Sequence, residues 1–262
     1  MSKEHKLYIH ELKRNKYRIK AAQGFILICF FALWEIAALF KWIDPFIFSQ
    51  PSRMFSAFVN MIKDGSLFKH VGITLGETIL GFVLSTAAGS LISVILWWND
   101  FLRKVLNPYL VVLNSLPKTA LAPIIIVWVG NNINSVIVTA LMTSIIVTII
   151  SVLTGFLEAD NDKAKLIKTL GGSKKDILTK VILPASVPTM ISALKINVGL
   201  SFVGVMVGEF LVAQAGLGFL IMYGSQIFKM DWVMLSILIL CVLAGLMYQL
   251  VVFIEKKFNY SL

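Results

Sequence analysis

The residues of this chain that could do chemistry are few, and most lie in apolar surroundings. Glu77, Lys195, Asn197, Ser201 and Glu209 fall inside long apolar runs, and Asn114, Ser115, Lys118 and Thr119 gather where prolines interrupt another. A charge at the middle of a bilayer costs at least about 2.5 kcal/mol on insertion scales unless it meets a partner or water, which makes such residues candidates for a solute pathway. The recognised catalytic patterns are missing. There is no G-x-x-x-x-G-K-[ST] phosphate loop, no H-E-x-x-H and no Ser/His/Asp set, and His5, His10 and His70 fall in a tail or an outer loop. The chain therefore has no means of hydrolysing ATP. No catalytic residue, metal or cofactor is expected on it. Cys29 and Cys241 lie in apolar runs and read as small packed hydrophobes.

Composition says what must position these residues. Hydrophobic residues make up 58% of the chain and charged residues only 15%, with a mean hydropathy of +0.84. Soluble domains carry about 25% charged residues, so this is an all-α integral membrane protein. The net charge of +10 does not indicate nucleic acid, because the basic residues come in short pieces between apolar runs and not on one face.

Residues 1–20 read as a basic cytoplasmic tail and 21–262 as a single transmembrane domain of six helices, at about 23–40, 71–98, 105–130, 135–157, 187–213 and 232–254. Each is long enough for a hydrocarbon core of about 30 Å. The first is read as an uncleaved span, because its apolar part is long, no A-x-A-like site follows it, and Trp34 and Trp42 suit an interface. Pro51-Ser52 opens a short amphipathic helix in the 41–70 connection. In the third run Pro117 and Pro123 leave the carbonyls of Leu113 and Thr119 without helical partners. That break kinks a structural helix with Lys118 snorkelling to the interface, lines a wet pathway, or does both. Gly81, Ser85, Gly89 and Ser93 recur every fourth residue, and Gly204 and Gly208 are four apart, so both sets read as helix-packing faces. Glu77 is a candidate site residue or an interfacial charge.

Orientation follows from the Lys/Arg distribution. Seventeen of the 24 fall on the side of the N-terminal tail, against Lys41, Arg53, Lys63, Lys69 and Lys229 on the other. The positive-inside rule then puts both termini and the polar 158–186 segment in the cytoplasm.

Within that segment Lys165 to Pro184, KLIKTLGGSKKDILTKVILP, is similar to the EAA loop of bacterial ABC importer permeases. That loop is patterned E-A-A, three residues, Gly, nine residues, Ile, one residue, Leu-Pro. Counting from Gly171, residues 172–180 lead to Val181, Ile182 and then Leu183-Pro184, so the spacing is kept. Lys165, Leu166 and Ile167 stand where the family has Glu-Ala-Ala, and Glu158-Ala159-Asp160 lies out of register. A short helix, a Gly171-Gly172 turn, Ser173 and a second helix stay legible. A basic loop that only orients the chain or binds anionic lipid is the alternative on composition.

Pro51-Ser52, Gly65-x-Leu67-x-x-His70, PKTALAPIIIVWVG at 117–130 and Glu209 with Gly216-Leu217-Gly218 resemble the nitrate/sulfonate/taurine subgroup, which has six spans. Glu77 departs from it, a basic residue being expected there. The resemblance implies several things. A separate ABC ATPase subunit would use Mg-ATP and dock on the 165–184 loop, an extracytoplasmic solute-binding protein would deliver solute, and the chain would pair as a homodimer in the bacterial plasma membrane. The solute would be a sulfonate-, taurine- or nitrate-like anion, or a thiamine-precursor pyrimidine as served by related permeases. An ion-driven secondary transporter would need inverted repeats, which are not visible. A non-transporting scaffold is the remaining rival. Asn114, Ser115, Lys118, Thr119, Ser201 and Glu209 are the expected pathway residues.

Overall fold

The computed structural model describes residues 3–259, with side chains described for 10, 11 and 14–256. The His5 side chain, residues 1–2 of the tail and residues 260–262 of the long domain lie outside the described residues. Every regular element among the described residues is helical.

Helix α1 (Lys3–Leu39) runs unbroken from the basic tail into the first apolar run. Its apolar surface, including Phe25, Ile28 and Leu33, stays exposed, as a face meeting lipid must. After a one-turn α2 (Pro45–Phe48), α3 (Pro51–Lys63) buries Met54, Ala57 and Met61 on one side. Gly65, at φ 75, turns the chain into α4 (Ser66–Trp98). The preceding Asp64 accepts from the N–H and hydroxyl of Ser66, which holds its carboxyl below its ordinary range.

The third apolar run differs from the single span expected at 105–130. It forms α5 (Asp100–Ser115), capped by Asn99, then a short 3-10 turn (Lys118–Leu121) and α6 (Ala122–Val129). The two halves meet at 91°. Pro117 holds Leu116 in extended backbone and opens the turn, so the helix stops where the proline ring forbids it to continue. By length and hydropathy five helices among the described residues can cross a membrane, and the bent pair makes a sixth if it counts as one span.

Helices α7 (Ile133–Leu157) and α10 (Leu183–Val212) complete the centre. Between them lie α8 (Asn161–Thr169), α9 (Lys174–Ile177) and a π turn (Leu178–Ile182). Helices α11 (Leu217–Gln226) and α12 (Met230–Asn259) follow α10.

The core is α7 held between α4 and α10. A Cβ added to Gly81 would lie 2.6 Å from Ala140 Cβ, and one at Gly89 would lie 2.6 Å from Thr148 Cβ. On the other side Gly204 and Gly208 face the backbone of Ala140 and Val136. Ser85 and Ser93 are fully buried on the same stripe as the α4 glycines, and Ser93 Oγ reaches across to the Ile149 carbonyl at 3.0 Å. Lipid is as apolar as the core, so helices associate through such close contact and hydrogen bonding, not through removal from water. Along α7 the hydroxyls of Thr139, Thr143, Ser144 and Thr148 each donate to the carbonyl four residues earlier, which satisfies their O–H groups within the helix.

The contact at Gly204 allows no slack, because its added Cβ would sit 2.5 Å from Ala140 Cα, a backbone atom that cannot rotate aside. Gly204→Val should destabilise the purified chain by about 1–3 kcal/mol, seen as a lower melting temperature in detergent. Gly199 has open space around it, and Gly199→Ala should leave that temperature unchanged or slightly raised.

Candidate functional site

At one end of the bundle the polar segment folds as a compact unit on the core. Asp160 caps α8 by accepting from the N–H groups of Asp162 and Lys163. The turn uses Gly171 at φ 81, and Gly172 packs so closely that a Cβ would meet Ile167 Cγ2 at 2.5 Å. The two glycines have distinct reasons, one conformational and one steric. Ser173 and Asp176 then form a reciprocal capping box at the start of α9. From there the chain passes through the π turn into α10 without a loop. Leu178, Val181 and Ile182 are buried, and Leu178 and Ile182 pack with Val152, Phe156 and Ala159 at the end of α7. Leu183 and Pro184 open α10, and Ser186 Oγ donates to the Gly155 carbonyl at 3.0 Å. Lys174 Nζ donates to the Trp98 carbonyl at 2.6 Å and lies 5.5 Å from the ring centres of Trp97 and Trp98. Helix α8 by contrast offers its side chains outward. Lys165 is exposed, as are Leu166 at 59% and Leu170 at 75%, while Ile167 is half-buried under Gly172.

The expected pathway residues fall into three separate places. Asn114, Ser115, Lys118 and Thr119 stay together at the break between α5 and the 3-10 turn, where Lys118 Nζ donates to Asn114 Oδ1 at 3.3 Å. Asn114, Ser115 and Thr119 are exposed there. Ser201 is fully buried in α10, and its Oγ has no hydrogen-bond partner. One turn earlier Asn197 Nδ2 donates to Thr148 Oγ1 at 2.6 Å, its own Oδ1 left over. Lys195 is committed elsewhere, to Glu255 of α12 at 2.7 Å.

Glu209 lies at the far end of α10, and its surroundings were not legible from the sequence. Its Oε1 accepts from Thr74 Oγ1 at 2.6 Å, and its Oε2 accepts from the Gly218 N–H at 2.5 Å. The neighbouring N–H groups are taken in the same way. Leu217 N donates to Thr74 Oγ1 at 2.7 Å and Gly216 N to His70 Nδ1 at 2.9 Å. Three successive donors at the start of α11 are thus received by side chains of α4 and α10, where a helix N-terminus would otherwise leave them orphaned. Gly216, at φ 123, is required, since a Cβ there would overlap the Glu209 carboxylate. His70 belongs to α4, not to a loop, and stacks on Phe219 at 6.1 Å. The missed signal was its spacing with Thr74 and Glu77, at i, i+4 and i+7 on an otherwise apolar helix. Among the described residues no group of three or more His, Cys, Asp or Glu side chains could hold a metal ion.

Comparison with known proteins then decides the family. Residues 78–259 match the profile of the binding-protein-dependent transport system inner membrane component. The chain belongs to that family. It is 28% identical over 209 residues to the formylaminopyrimidine transport permease ThiX of Halalkalibacterium halodurans, covering 79% of this chain and 82% of that one. It is 21% identical over 229 residues to the taurine transport system permease TauC of Escherichia coli, covering 86% and 83%. Its fold is similar to a chain of the MetNI methionine ABC transporter in an inward-facing conformation, with a TM-score of 0.61, 19% identity and coverage of 72% and 94%. The protein is thus an ABC importer permease, not an enzyme, and a multi-pass protein of the bacterial plasma membrane.

The clasp on α11 can be tested directly. Glu209→Leu removes the acceptor for Thr74 and Gly218 and should cost about 1–3 kcal/mol, read as a lower melting temperature. Glu209→Gln keeps one acceptor oxygen and should lose less.

Proposed function

We propose that this permease forms one half of the translocation pathway of an ATP-driven importer for a small polar solute, as a homodimer with six spans per chain and both termini in the cytoplasm. Two separate ATPase subunits using Mg-ATP dock on the 165–184 segment, and an extracytoplasmic solute-binding protein delivers the solute. One observation carries the reading: an exposed helix with Lys165, Leu166 and Leu170 outward is joined through a capped turn to α10 with no flexible loop between them. A push on α8 is therefore delivered to a central membrane helix. Such rigid coupling is what alternating access by rocking of packed helices needs. Lys-Leu-Ile at 165–167 leaves the basic and apolar character of this surface to make the contact that Glu-Ala-Ala makes in the family.

The resemblance favours a sulfonate-, taurine- or nitrate-like anion as the solute. A second reading, a thiamine-precursor pyrimidine, is favoured by Glu77, a buried acid in place of the expected base.

Affinity-tagged chain purified from its own membranes should bring down an ATPase subunit. Leu166→Asp, at an exposed position, and Gly171→Pro, which cannot hold the positive φ, should each reduce that recovery and ATP-dependent solute uptake at least about tenfold, equivalent to about 1.4 kcal/mol of lost contact. Uptake that persists without the ATPase would overturn the ATP-driven reading. Uptake unaffected by both variants would overturn the coupling role of the 165–184 segment.

A further inference from the structure

The polar segment after α7 touches more of the bundle than the helix it runs into. Trp98 closes α4 and Asp100 opens α5, with Asn99 alone between them. Asn99 serves both helices: its N–H donates to the Ile95 carbonyl, and its Oδ1 receives the Leu102 N–H. The last carbonyls of a helix have no N–H four residues ahead to receive, and Leu102, four ahead of Trp98, has turned to Asn99. The Trp98 carbonyl is received instead by Lys174 Nζ at 2.6 Å, from a residue 76 positions away.

Lys174 is well placed to hold that corner. Its ammonium lies 5.5 Å from the ring centres of both Trp97 and Trp98, within reach of a cation–π attraction. A cation at a helix C-terminus complements the dipole as well as the single carbonyl. Among the described residues no carboxylate pairs with it. Asp100, the acid of the corner, is paired with Arg103 and Lys104, and Asp176, the acid of α9, is taken by Lys180 and the Ser173 cap. The base of the side chain is fixed too, because Lys174 is the first residue of α9, directly after the residue that caps it. Apolar packing runs the same way: Val94 and Trp97 of α4 lie against the cluster that Leu178 and Ile182 form with Val152 and Phe156. The segment is thus continuous with α10, packed on α7 and clamped to the last turn of α4.

We propose that Lys174 is a positioning residue that fastens the 165–184 segment to the α4–α5 corner, so that movement of α8 is delivered to α4 and α5 as well as to α10. This rests on the permease reading above and adds a second route by which a docked ATPase acts on the bundle. Helix α5 leads from that corner to the polar break at Asn114 and Lys118. Without the clamp, α8 tilts about its junction with α10 and leaves the corner behind. With it, segment and corner move as one body, as rocking of packed helices requires. The grip is a charge-assisted hydrogen bond and not a covalent link, so its removal uncouples the two parts and leaves the helices formed.

Fluorine NMR on the full chain carrying 5-fluorotryptophan, in lipid nanodiscs, tests this. The chain has six tryptophans, and Trp97→Phe and Trp98→Phe assign the two signals concerned. In the chain alone, Lys174→Met, which keeps an apolar stem and loses the donor and the charge, should displace both signals. In complexes matched for the amount of co-purified ATPase, Mg-ATP should shift both signals, and Lys174→Met should reduce that shift at least about threefold. Lys174→Arg, which also donates to a carbonyl and lies over a ring, should restore most of the response. A lysine that served stability alone would lower the melting temperature of Lys174→Met and leave the response to Mg-ATP at full size, and that result overturns the proposal. So do Trp97 and Trp98 signals that ignore Lys174→Met in the chain alone. Absence of any ATPase from the unsubstituted preparation counts against the permease reading, whereas bound ATPase with an undiminished response in Lys174→Met counts against the clamp.

Discussion

The structure depends on the closeness with which α7 is held by α4 and α10. Gly81 and Gly89 on one flank, and Gly204 and Gly208 on the other, bring backbones to within a Cβ of contact with Ala140, Thr148 and Val136. In a bilayer this is where association energy comes from, because lipid offers no penalty for leaving an apolar face uncovered. The consequence is a rigid three-helix centre with other helices against it, and α1 remains largely open to lipid. Polar groups inside that centre must find partners within it. Most do so along their own helix, and the few that do not, Asn197 Oδ1, Ser201 Oγ and Glu77 Oε2 among them, mark where its chemistry is unfinished.

Rigidity at the centre gives both ends their meaning. At one end α9 and the π turn run straight into α10 and bury Leu178 and Ile182 against the end of α7. The exposed α8 is thus attached to the core by a capped turn whose geometry Gly171, Gly172 and Ser173 determine. At the other end α11 is received by His70, Thr74 and Glu209 through three consecutive backbone donors. A buried carboxylate at a helix N-terminus is favoured by both the hydrogen bond and the helix dipole. That arrangement gives Glu209 a structural role which its place in an apolar run did not disclose.

Much of the architecture was legible beforehand because the period of hydrophobic residues and the positions of glycine and proline act locally. The break at Pro117, the amphipathic helix after Pro51 and the spacing from Gly171 to Leu183-Pro184 are all properties of neighbours in the chain. The small-residue stripes could be seen for the same reason, since residues four apart share a helix face. What could not be seen was the angle of 91° between α5 and α6, because a proline says where a helix stops and not where the next one goes. Nor could Asn114, Lys118, Ser201 and Glu209 be sorted among separate locations, since each is polar in apolar company and only packing tells a lipid-facing interface from a buried seam.

By itself the sequence determined that this is a helical membrane protein with an outward polar segment of permease spacing, because composition, periodicity and motif spacing need no knowledge of what lies across the fold. Only the tertiary structure decided what the acids meet. Thr74 and Glu209 are separated by 135 positions yet share a hydrogen bond, and Glu77 lines a cleft that three distant segments build. Long-range juxtaposition depends on which helix faces pack, and that choice is made by steric fit among all the helices together, which no local pattern encodes.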